Sequence, residues 1–209
     1  MPQVNRPVIA AFDFDGTLTR RDTLLPFLIH SLGWPKFLWA MLLSSPWLAA
    51  YALRLMSNHR AKVRLLKLSL AGLSEVQARQ QSQRFVAHYL PTQWHTWGLA
   101  QLVEHQRQGH PCVIVSASPN VYLRAVATHL GVNDVLCTDM TLRDGYYTGD
   151  MATPNCHGEQ KVIRLQSWLR ETFPNEVKPE IHAYGDTPGD FPLLRLAERA
   201  WYRGTPWPR

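Results

Sequence analysis

Residues 8–17 have the sequence VIAAFDFDGT. Five apolar residues run directly into Asp13, which is typical of a short strand buried in a parallel sheet. Apolar runs of similar length recur along the chain at 111–115, 134–137, 180–184 and 200–202, of which 134–137 is the weakest. The sequence therefore predicts a sheet whose first strand ends at Asp13.

Helical patterns lie between these predicted strands. Residues 120–129, 161–169 and 191–197 carry apolar side chains at helical spacing, and Asn120 can cap the first of them. The alternation predicts an α/β fold, with a doubly wound, mostly parallel, Rossmann-like sheet and helices on both faces. Residues 141–148 interrupt it, because Asp-Gly between strand-forming residues predicts a hairpin.

The segment 22–108 also interrupts the alternation. It has much helical periodicity and no strand-type pattern. We expect it to form a helical insertion after the first strand, and we call residues 22–108 the cap. The core is then formed by 1–21 and 109–209, which suits a chain of 209 residues as one domain with one insertion.

Composition excludes a disordered chain and a disulfide-rich one. Forty-five per cent of residues are hydrophobic and 18% are charged, which is enough to bury a core. Cys112, Cys137 and Cys156 are widely spaced without a CxxC pair, which argues against a structural zinc site. These cysteines and an N-terminus without an apolar secretory segment predict a reducing compartment, on the cytoplasmic side of the membrane.

The net charge of +6 is concentrated in and just before the cap. Residues 16–74 hold eight Lys and Arg side chains and a single acid, Asp22. A basic surface attracts anions such as phosphates, nucleic acid or anionic lipid, whereas scattered basic residues more often form a solvated helical face. The clustering of these cations beside an apolar run favours an anionic partner.

Polar side chains follow three of the predicted strands where each strand ends. Because the carboxyl ends of parallel strands share one edge of the sheet, we expect these side chains to meet in one crevice, with a lysine from the helix before the third strand. The set comprises Asp13, Asp15, Ser116, Lys161, Asp186 and Asp190. Crowded carboxylates repel one another unless a cation lies among them, and hard oxygen ligands suit Mg²⁺.

This combination of groups suits phosphoryl transfer. Mg²⁺ with a lysine and a serine hydroxyl can bind a phosphoryl group and neutralise its charge. One carboxylate can act as nucleophile and form an acyl phosphate, and another, two residues on, can protonate the leaving oxygen and then activate water. Each carboxylate alone could be structural, because Asp is common in turns and helix caps, but the ordered set favours an enzyme.

The motifs resemble those of a known family in type and order. DFDGT at 13–17, Ser116, Lys161 and the GDTPGD run at 185–190 resemble the haloacid dehalogenase-like phosphatases. The large cap and the run at 144–149 before Lys161 resemble the phosphoserine phosphatase branch. The resemblance implies that Asp13 is the nucleophile and that Asp15 is the general acid and base. It also implies that Ser116 and Lys161 hold the transferring phosphoryl group.

The same resemblance implies a Mg²⁺ site. Its ligands would be the carboxylates of Asp13 and Asp186 and the main-chain carbonyl of Asp15. Asp190 would bind the metal or support its shell. The presence of Asp15 argues against dehalogenation, because the dehalogenases of this superfamily lack that acid.

The chain departs from the phosphoserine phosphatase pattern at three places. It has Gly189 where that branch has Asn, and Ala117-Ser118 where that branch has two glycines. It has Asp22 where that branch has a Glu that meets the substrate amino group, so Asp22 is a candidate substrate-binding residue. These differences concern the recognition of serine and leave the phosphate chemistry in place.

An apolar run at 37–53 marks the cap. It contains no charged side chain, and Ser45-Pro46 within it is a good helix start, which predicts two short helices with a bend. Asp13 precedes the run, whereas Ser116, Lys161 and Asp186 follow it. Because all of them must meet in one aqueous site, the run is not a single transmembrane anchor.

Aromatic and basic residues in the cap favour a lipid surface over the alternative of a Trp-rich buried cap core. The aromatic residues are Trp34, Trp39, Trp47 and Tyr51, and the cations that follow are Arg54, Arg60, Lys62, Arg64 and Lys67. This combination predicts peripheral binding to anionic membranes. The cap resembles that of the bacterial phosphatidylglycerophosphatase C family, which implies a phosphorylated lipid substrate at the inner membrane.

Two other functions stay open at this point. The first is the same Mg²⁺-dependent chemistry on a small soluble metabolite such as phosphoserine. The second is a catalytically idle, basic module that binds membrane or nucleic acid. The complete motif set argues against an idle module, and we expect no nucleic-acid partner.

Overall fold

A computed structural model describes residues 6–53, 58–174 and 178–208. The strands are β1 (Val8–Phe12), β2 (Cys112–Pro119), β3 (Asp134–Thr138), β4 (Met140–Arg143), β5 (Tyr146–Met151), β6 (Glu180–Gly185), β7 (Arg199–Tyr202) and β8 (Thr205–Pro206). Six of them form one sheet in the order β3-β2-β1-β6-β7-β8, parallel except for the last pair. β4 and β5 form the predicted hairpin.

The helices lie on both faces of this sheet, so the predicted fold class is confirmed. They are α1 (Leu24–Ala52), α2 (Asn58–Leu70), α3 (Glu75–His88), α4 (Thr96–Arg107), α5 (Asn120–Leu130), α6 (Glu159–Thr172) and α7 (Phe191–Leu196). Alternate residues of β1 serve the two faces. Ile9 packs in the cluster that α6 and α7 cover, whereas Phe12 packs with α4, α5 and the cap helices.

The neighbouring strands β1 and β2 present the candidate site residues differently. β1 has the bounds predicted from its apolar run, and Asp13 follows it directly. β2 is longer than the predicted 111–115 and continues to Pro119. Ser116 and Ser118 therefore lie within the strand, next to the end of β1.

The cap begins with a long helix whose break differs from the prediction. α1 continues through Pro46, so the bend predicted at Ser45-Pro46 is wrong. Pro46 has no N–H to donate to the Leu42 carbonyl, but the Ser45 hydroxyl donates to that carbonyl at 2.7 Å, so the helix continues. The interruption lies at Gly33, which has φ 72° and ψ 159°, a conformation that suits glycine.

The chain leaves the core and returns to it at neighbouring points. Thr19 and Trp94 form an antiparallel bridge, the Arg20 N–H donates to the Gln93 carbonyl at 2.8 Å, and the His95 N–H donates to the Leu18 carbonyl at 2.9 Å. The following helix, α4, packs against β2. The division of the chain at residues 22 and 108 stays a prediction.

Within the described ranges, none of the helices has both the length and the hydropathy required to cross a membrane.

Candidate active site

A buried lysine joins two carboxylates at the carboxyl ends of the central strands. The Lys161 Nζ atom is 2.6 Å from Asp13 Oδ1 and 2.5 Å from Asp190 Oδ1. The side chains of Lys161 and Asp190 are only 3% and 1% exposed. Such an ion pair persists away from water only when its charges and hydrogen bonds are matched. The structure thus brings three of the predicted residues into direct contact.

Asp190 uses its second oxygen to fix the loop after β6. Its Oδ2 atom accepts the Thr187 N–H and the Thr187 hydroxyl, both at 2.9 Å, and the Asp186 N–H at 3.2 Å. Burial alone would raise the pKa of Asp190, but the Lys161 ammonium and the Thr187 bonds lower it below its usual range. Asp190 therefore stays ionised and holds both Lys161 and Asp186 in place.

Asp186 lies against the loop that follows Asp13. The Thr17 hydroxyl donates to Asp186 Oδ1 at 3.4 Å. Gly16 has φ 86°, and a Cβ atom there would lie 2.1 Å from Asp186 Oδ2. The glycine of the DFDGT motif is therefore required both by its backbone conformation and by the close approach of this carboxylate.

The chemistry and spacing of the carboxylates fit a cation site. Asp13, Asp186 and Asp190 each offer an oxygen, and these atoms all lie within 4.8 Å of one another. Burial and the neighbouring charge of Asp190 raise the pKa of Asp186, and burial also raises the pKa of Asp13 against the pull of Lys161. Repulsion of this kind among hard oxygen ligands is relieved by a cation such as Mg²⁺, so the donor set fits that metal.

Asp15 lies in a separate hydrogen-bonded cage. Its Oδ1 atom accepts the Thr23 N–H at 2.8 Å and the Thr23 hydroxyl at 2.6 Å, and its Oδ2 atom accepts the Ser118 hydroxyl at 2.5 Å. Burial and the charge of Asp22 raise the pKa of Asp15 to about 6, although the bonds from Ser118 and Thr23 oppose the shift. A carboxyl with this pKa can both give and take a proton near neutral pH.

Ser116 and Asp22 both line a cleft of about 680 Å³. Ser116 is buried, and its hydroxyl oxygen accepts the Ser118 N–H at 3.1 Å. Asp22 is exposed, and its Oδ1 atom accepts the Leu24 N–H at 2.9 Å at the start of α1. Asp22 thus has a local capping role besides its place in the cleft.

Lys62 lines the cleft, although it was predicted to be one of the lipid-facing cations. Its Nζ atom donates to the Ala117 carbonyl at 2.7 Å and to Asn155 Oδ1 at 3.4 Å, and burial lowers the pKa of its ammonium. Periodicity could have revealed this position. Lys62 precedes Leu65 and Leu66 by three and four residues, so it shares the buried face of α2.

The other cap cations are also placed differently from the prediction of one lipid-facing group. Lys67 pairs with Asp150 at 2.9 Å, and the guanidinium of Arg64 lies 4.4 Å from the centre of the Trp47 ring. Arg60 is exposed, whereas Arg54 lies outside the described residues. The cations of α2 therefore do not act as a single surface.

The cap nevertheless exposes large apolar side chains. Trp34 and Trp39 are 61% and 62% exposed, and they belong to a set on α1 that also includes Leu38, Leu42 and Leu43. Spacings of three, four and five residues place these side chains along one side of the helix, and we call them the α1 stripe. The three cysteines, in contrast, are buried and unpaired.

The fold and these side chains define a class of hydrolase, the phosphatases. A parallel sheet brings Asp13, a buried lysine and further carboxylates together at one edge, and a helical insertion covers that edge. The family model described as haloacid dehalogenase-like hydrolase matches residues 10–195. The chain belongs to this family. The alternative of a catalytically idle module is therefore wrong.

Individual proteins are similar to this chain along most of its length. CicA of Caulobacter vibrioides is 32% identical over 200 residues, which are 95% of this chain and 87% of CicA. A crystal structure from Bordetella pertussis, of a protein with unknown function, is similar with a TM-score of 0.80 at 24% identity, covering 94% of this chain and 89% of that one. A substrate-bound phosphoserine phosphatase has a TM-score of 0.62 at 14% identity, covering 96% and 87%. The two structures show a common fold.

Proposed function

We propose that this protein is a Mg²⁺-dependent phosphomonoesterase that forms an aspartyl-phosphate and removes the terminal phosphate of phosphatidylglycerophosphate. It would do so while bound peripherally to the cytoplasmic face of the inner membrane. The observation that carries the choice of a lipid substrate is the exposed α1 stripe. The contact between Lys161 and Asp13 supports the chemistry.

The first half-reaction transfers the phosphoryl group to the protein. An Asp13 carboxylate oxygen attacks phosphorus, the P–O bond to the alcohol breaks, and its electron pair stays on the leaving oxygen. That oxygen takes the proton of the Asp15 carboxyl, whose raised pKa keeps a protonated fraction near neutral pH. The Lys161 ammonium and the Ser116 hydroxyl hold the phosphoryl oxygens as charge develops.

The second half-reaction restores the free protein. Water attacks phosphorus and gives a proton to the Asp15 carboxylate, while the P–O bond to Asp13 breaks and inorganic phosphate leaves. Asp190 keeps Lys161 charged and in place through both steps. Mg²⁺, held by Asp13, Asp186 and the main-chain carbonyl of Asp15, would neutralise the charge on the phosphoryl group.

The α1 stripe supports a substrate that lies in a membrane. Large apolar side chains exposed together on a soluble surface mark an interaction site, and tryptophans are favoured at the level of lipid headgroups. Lys36 on α1 and Arg60 on α2 are also exposed, and anionic lipid attracts their positive charges. The N-terminal end of α1 reaches the cleft, which Leu25 and Pro26 line.

Lys62 supports a substrate with a second negative group. An ammonium has three N–H donors, and in the part of the chain that the structure describes two of them meet Ala117 and Asn155. One donor can therefore face a ligand in the cleft. Phosphatidylglycerophosphate carries a phosphodiester one glycerol away from its terminal phosphate, and that group could pair with Lys62.

The proposal is tested by measuring phosphate release from two forms of this lipid. One form is embedded in anionic vesicles, and the other is a short-chain analogue that dissolves in water. The double variant Trp39→Ser, Leu42→Ser should act about 10-fold more slowly on vesicles, because two apolar side chains no longer enter the interface. Its activity on the soluble analogue should change by less than about 2-fold, because the cleft is untouched.

Val103→Ser is the matched control, because Val103 is an exposed apolar residue on α4, outside the α1 stripe. This variant should keep wild-type activity on both forms. Equal loss on both forms in the double variant, or full activity on vesicles, would contradict the lipid proposal. Hydrolysis of p-nitrophenyl phosphate, with and without Mg²⁺, tests the chemistry separately.

A small soluble phosphomonoester is the second candidate. Asp22 and Lys62 both line the cleft and carry opposite charges, which is the arrangement that an amino acid phosphate would need. Faster turnover of phosphoserine than of the short-chain lipid analogue would favour this candidate.

A further inference from the structure

Ser118 contacts two different parts of the catalytic machinery. It is buried near the end of β2, only 3% exposed. Its hydroxyl donates to Asp15 Oδ2 at 2.5 Å, and its backbone N–H donates to the Ser116 hydroxyl oxygen at 3.1 Å. One residue therefore touches both the proposed general acid and the proposed phosphate-binding hydroxyl.

The other oxygen of Asp15 is held from the opposite side. Thr23 donates to Asp15 Oδ1 through its N–H and its hydroxyl, at 2.8 and 2.6 Å. The Thr23 hydroxyl also lies 2.9 Å from the Tyr122 hydroxyl, which then acts as the donor of that pair. With Oδ1 fixed by the cap and Oδ2 fixed by β2, the carboxyl group of Asp15 has one orientation.

The hydrogen bonds to the two oxygens of Asp15 leave those oxygens with different roles. Because Oδ1 already accepts two bonds from Thr23, Oδ2 is the oxygen that exchanges a proton with substrate or water. The only hydrogen bond that the structure gives to Oδ2, among the described residues, comes from Ser118. Loss of that hydroxyl would leave Oδ2 buried and free to turn away from the phosphoryl group that Ser116 binds.

We infer that Ser118 is a positioning residue for proton transfer, which aims Asp15 Oδ2 at the ester oxygen and aligns Ser116 with it. The inference rests on the role of Asp15 in the proposed function. In that step the P–O ester bond breaks, the electron pair goes to the leaving oxygen, and the proton moves from Asp15 Oδ2 to that oxygen. Ser118 itself gains and loses no atoms.

The test compares kcat/KM for two esters that differ in their need for a proton. The leaving group of glycerol phosphate is glycerol, whose oxygen needs a proton from the acid, whereas the leaving group of p-nitrophenyl phosphate is p-nitrophenolate, which is stable as an anion. Ser118→Ala should lower kcat/KM about 10-fold for glycerol phosphate, a part of the 10²–10⁴-fold that a general acid supplies, and less than about 2-fold for p-nitrophenyl phosphate. Ser118→Thr, which keeps the hydroxyl, should restore the glycerol phosphate value to within about 3-fold of wild type.

Ser82→Ala is the matched control, because Ser82 is a buried serine whose hydroxyl contacts the Ala78 and Val121 carbonyls at 2.7 and 2.8 Å, outside the cleft. It should change kcat/KM for the two esters by the same factor. An equal loss on both esters in Ser118→Ala, or no loss, overturns the inference. If Ser118→Ala does not fold, Ser118→Gly removes the same hydroxyl and is judged by the same ratio.

Asp15→Asn distinguishes failure of this inference from failure of the proposed function. It should lose glycerol phosphate turnover far more than the Ser118 variant does. Wild-type turnover of glycerol phosphate by Asp15→Asn would remove the acid role itself. A large selective loss in Asp15→Asn beside an unselective Ser118→Ala would leave the proposed function standing and overturn only the role of Ser118.

Discussion

The strand ends of the core and the outer side of the cap differ in the polarity and the exposure of their side chains. At the strand ends, the ammonium of Lys161 pairs with the carboxylates of Asp13 and Asp190, and all three side chains are almost fully buried. On the cap, Trp34 and Trp39 are apolar and more than half exposed. In the first region every group has an internal partner, whereas in the second the side chains face outward. We therefore expect contacts within the chain to govern the reaction, and we propose that the exposed side chains of the cap contribute to the choice of substrate.

The largest expected effect concerns the buried cluster at the strand ends. Asp13→Asn should lower turnover by at least about 10³-fold, because an amide does not attack phosphorus while its shape is nearly unchanged. Phosphate release and a thermal melt on the same preparation check the loss and the fold. A folded variant that keeps most of its activity would rule out Asp13 as nucleophile.

Lys62 sharpens the comparison, because it belongs to the cap but lies in the cleft. Lys62→Met keeps the apolar stem and removes the charge, so kcat/KM should fall about 10- to 100-fold for a substrate with a second anionic group, the size of one hydrogen bond to a charge. Glycerol phosphate, which lacks that group, should be affected much less. Arg60→Met, at an exposed cation of the same helix, is the control and should change neither substrate. Equal losses on both substrates would mean that Lys62 only joins the cap to the core.

Mg²⁺ should stabilise the strand-end cluster without affecting the cap. Burial and mutual repulsion raise the pKa of Asp13 and Asp186, and a bound cation relieves that repulsion. Saturating Mg²⁺ should raise the melting temperature by about 5 °C or more, since it binds the native site far better than the unfolded chain. Asp186→Asn should remove most of the shift. An unchanged melting temperature in wild type would argue against a metal site here.

The smallest effect concerns a buried histidine of α4, away from both regions. His105 Nδ1 lies 2.9 Å from His110 Nδ1, and His105 Nε2 lies 2.8 Å from the Tyr184 hydroxyl. Burial, with the nearby charges of His182 and His110, lowers the pKa of His105 to about 4. The unfolded chain then binds the extra proton, so stability present above the unfolded pKa of about 6.5 is lost as pH falls through that window towards 4.

Urea unfolding at pH 8 and pH 5 measures this loss, which should be about 2 kcal/mol for His105. His105→Gln should be less sensitive to acid by that amount. An identical pH dependence in both proteins would show that other groups are responsible.

Local patterns were sufficient to predict the core. The apolar run before Asp13 predicted β1 with its observed bounds, because buried parallel strands have continuous apolar sequences. The carboxylates and Lys161 were predicted together because strand ends share an edge. The contact of Ser118 with Asp15 was not predicted, since it depends on β2 continuing past Ser116.

The cap was predicted less well, for physical reasons. Its helical nature follows from periodicity, but the break was predicted at Pro46 and lies at Gly33, because a serine hydroxyl compensates for the missing donor of the proline. Lys62 was assigned to a lipid surface, although its place depends on how α2 packs over the core. Charge alone does not distinguish a cation that faces solvent from one that closes a cleft.

The bridge between Thr19 and Trp94 has an evolutionary consequence. The two crossings of the chain are hydrogen-bonded neighbours, so the segment between Thr23 and Trp94 can be lengthened, shortened or exchanged without shifting the register of β1 against β2 or β6. The inserted segment can thus vary while the core that carries it keeps its structure. A chimera that exchanges this segment keeps Thr23 and its bonds to Asp15, so it should retain the phosphatase chemistry while it takes the substrate preference of its donor.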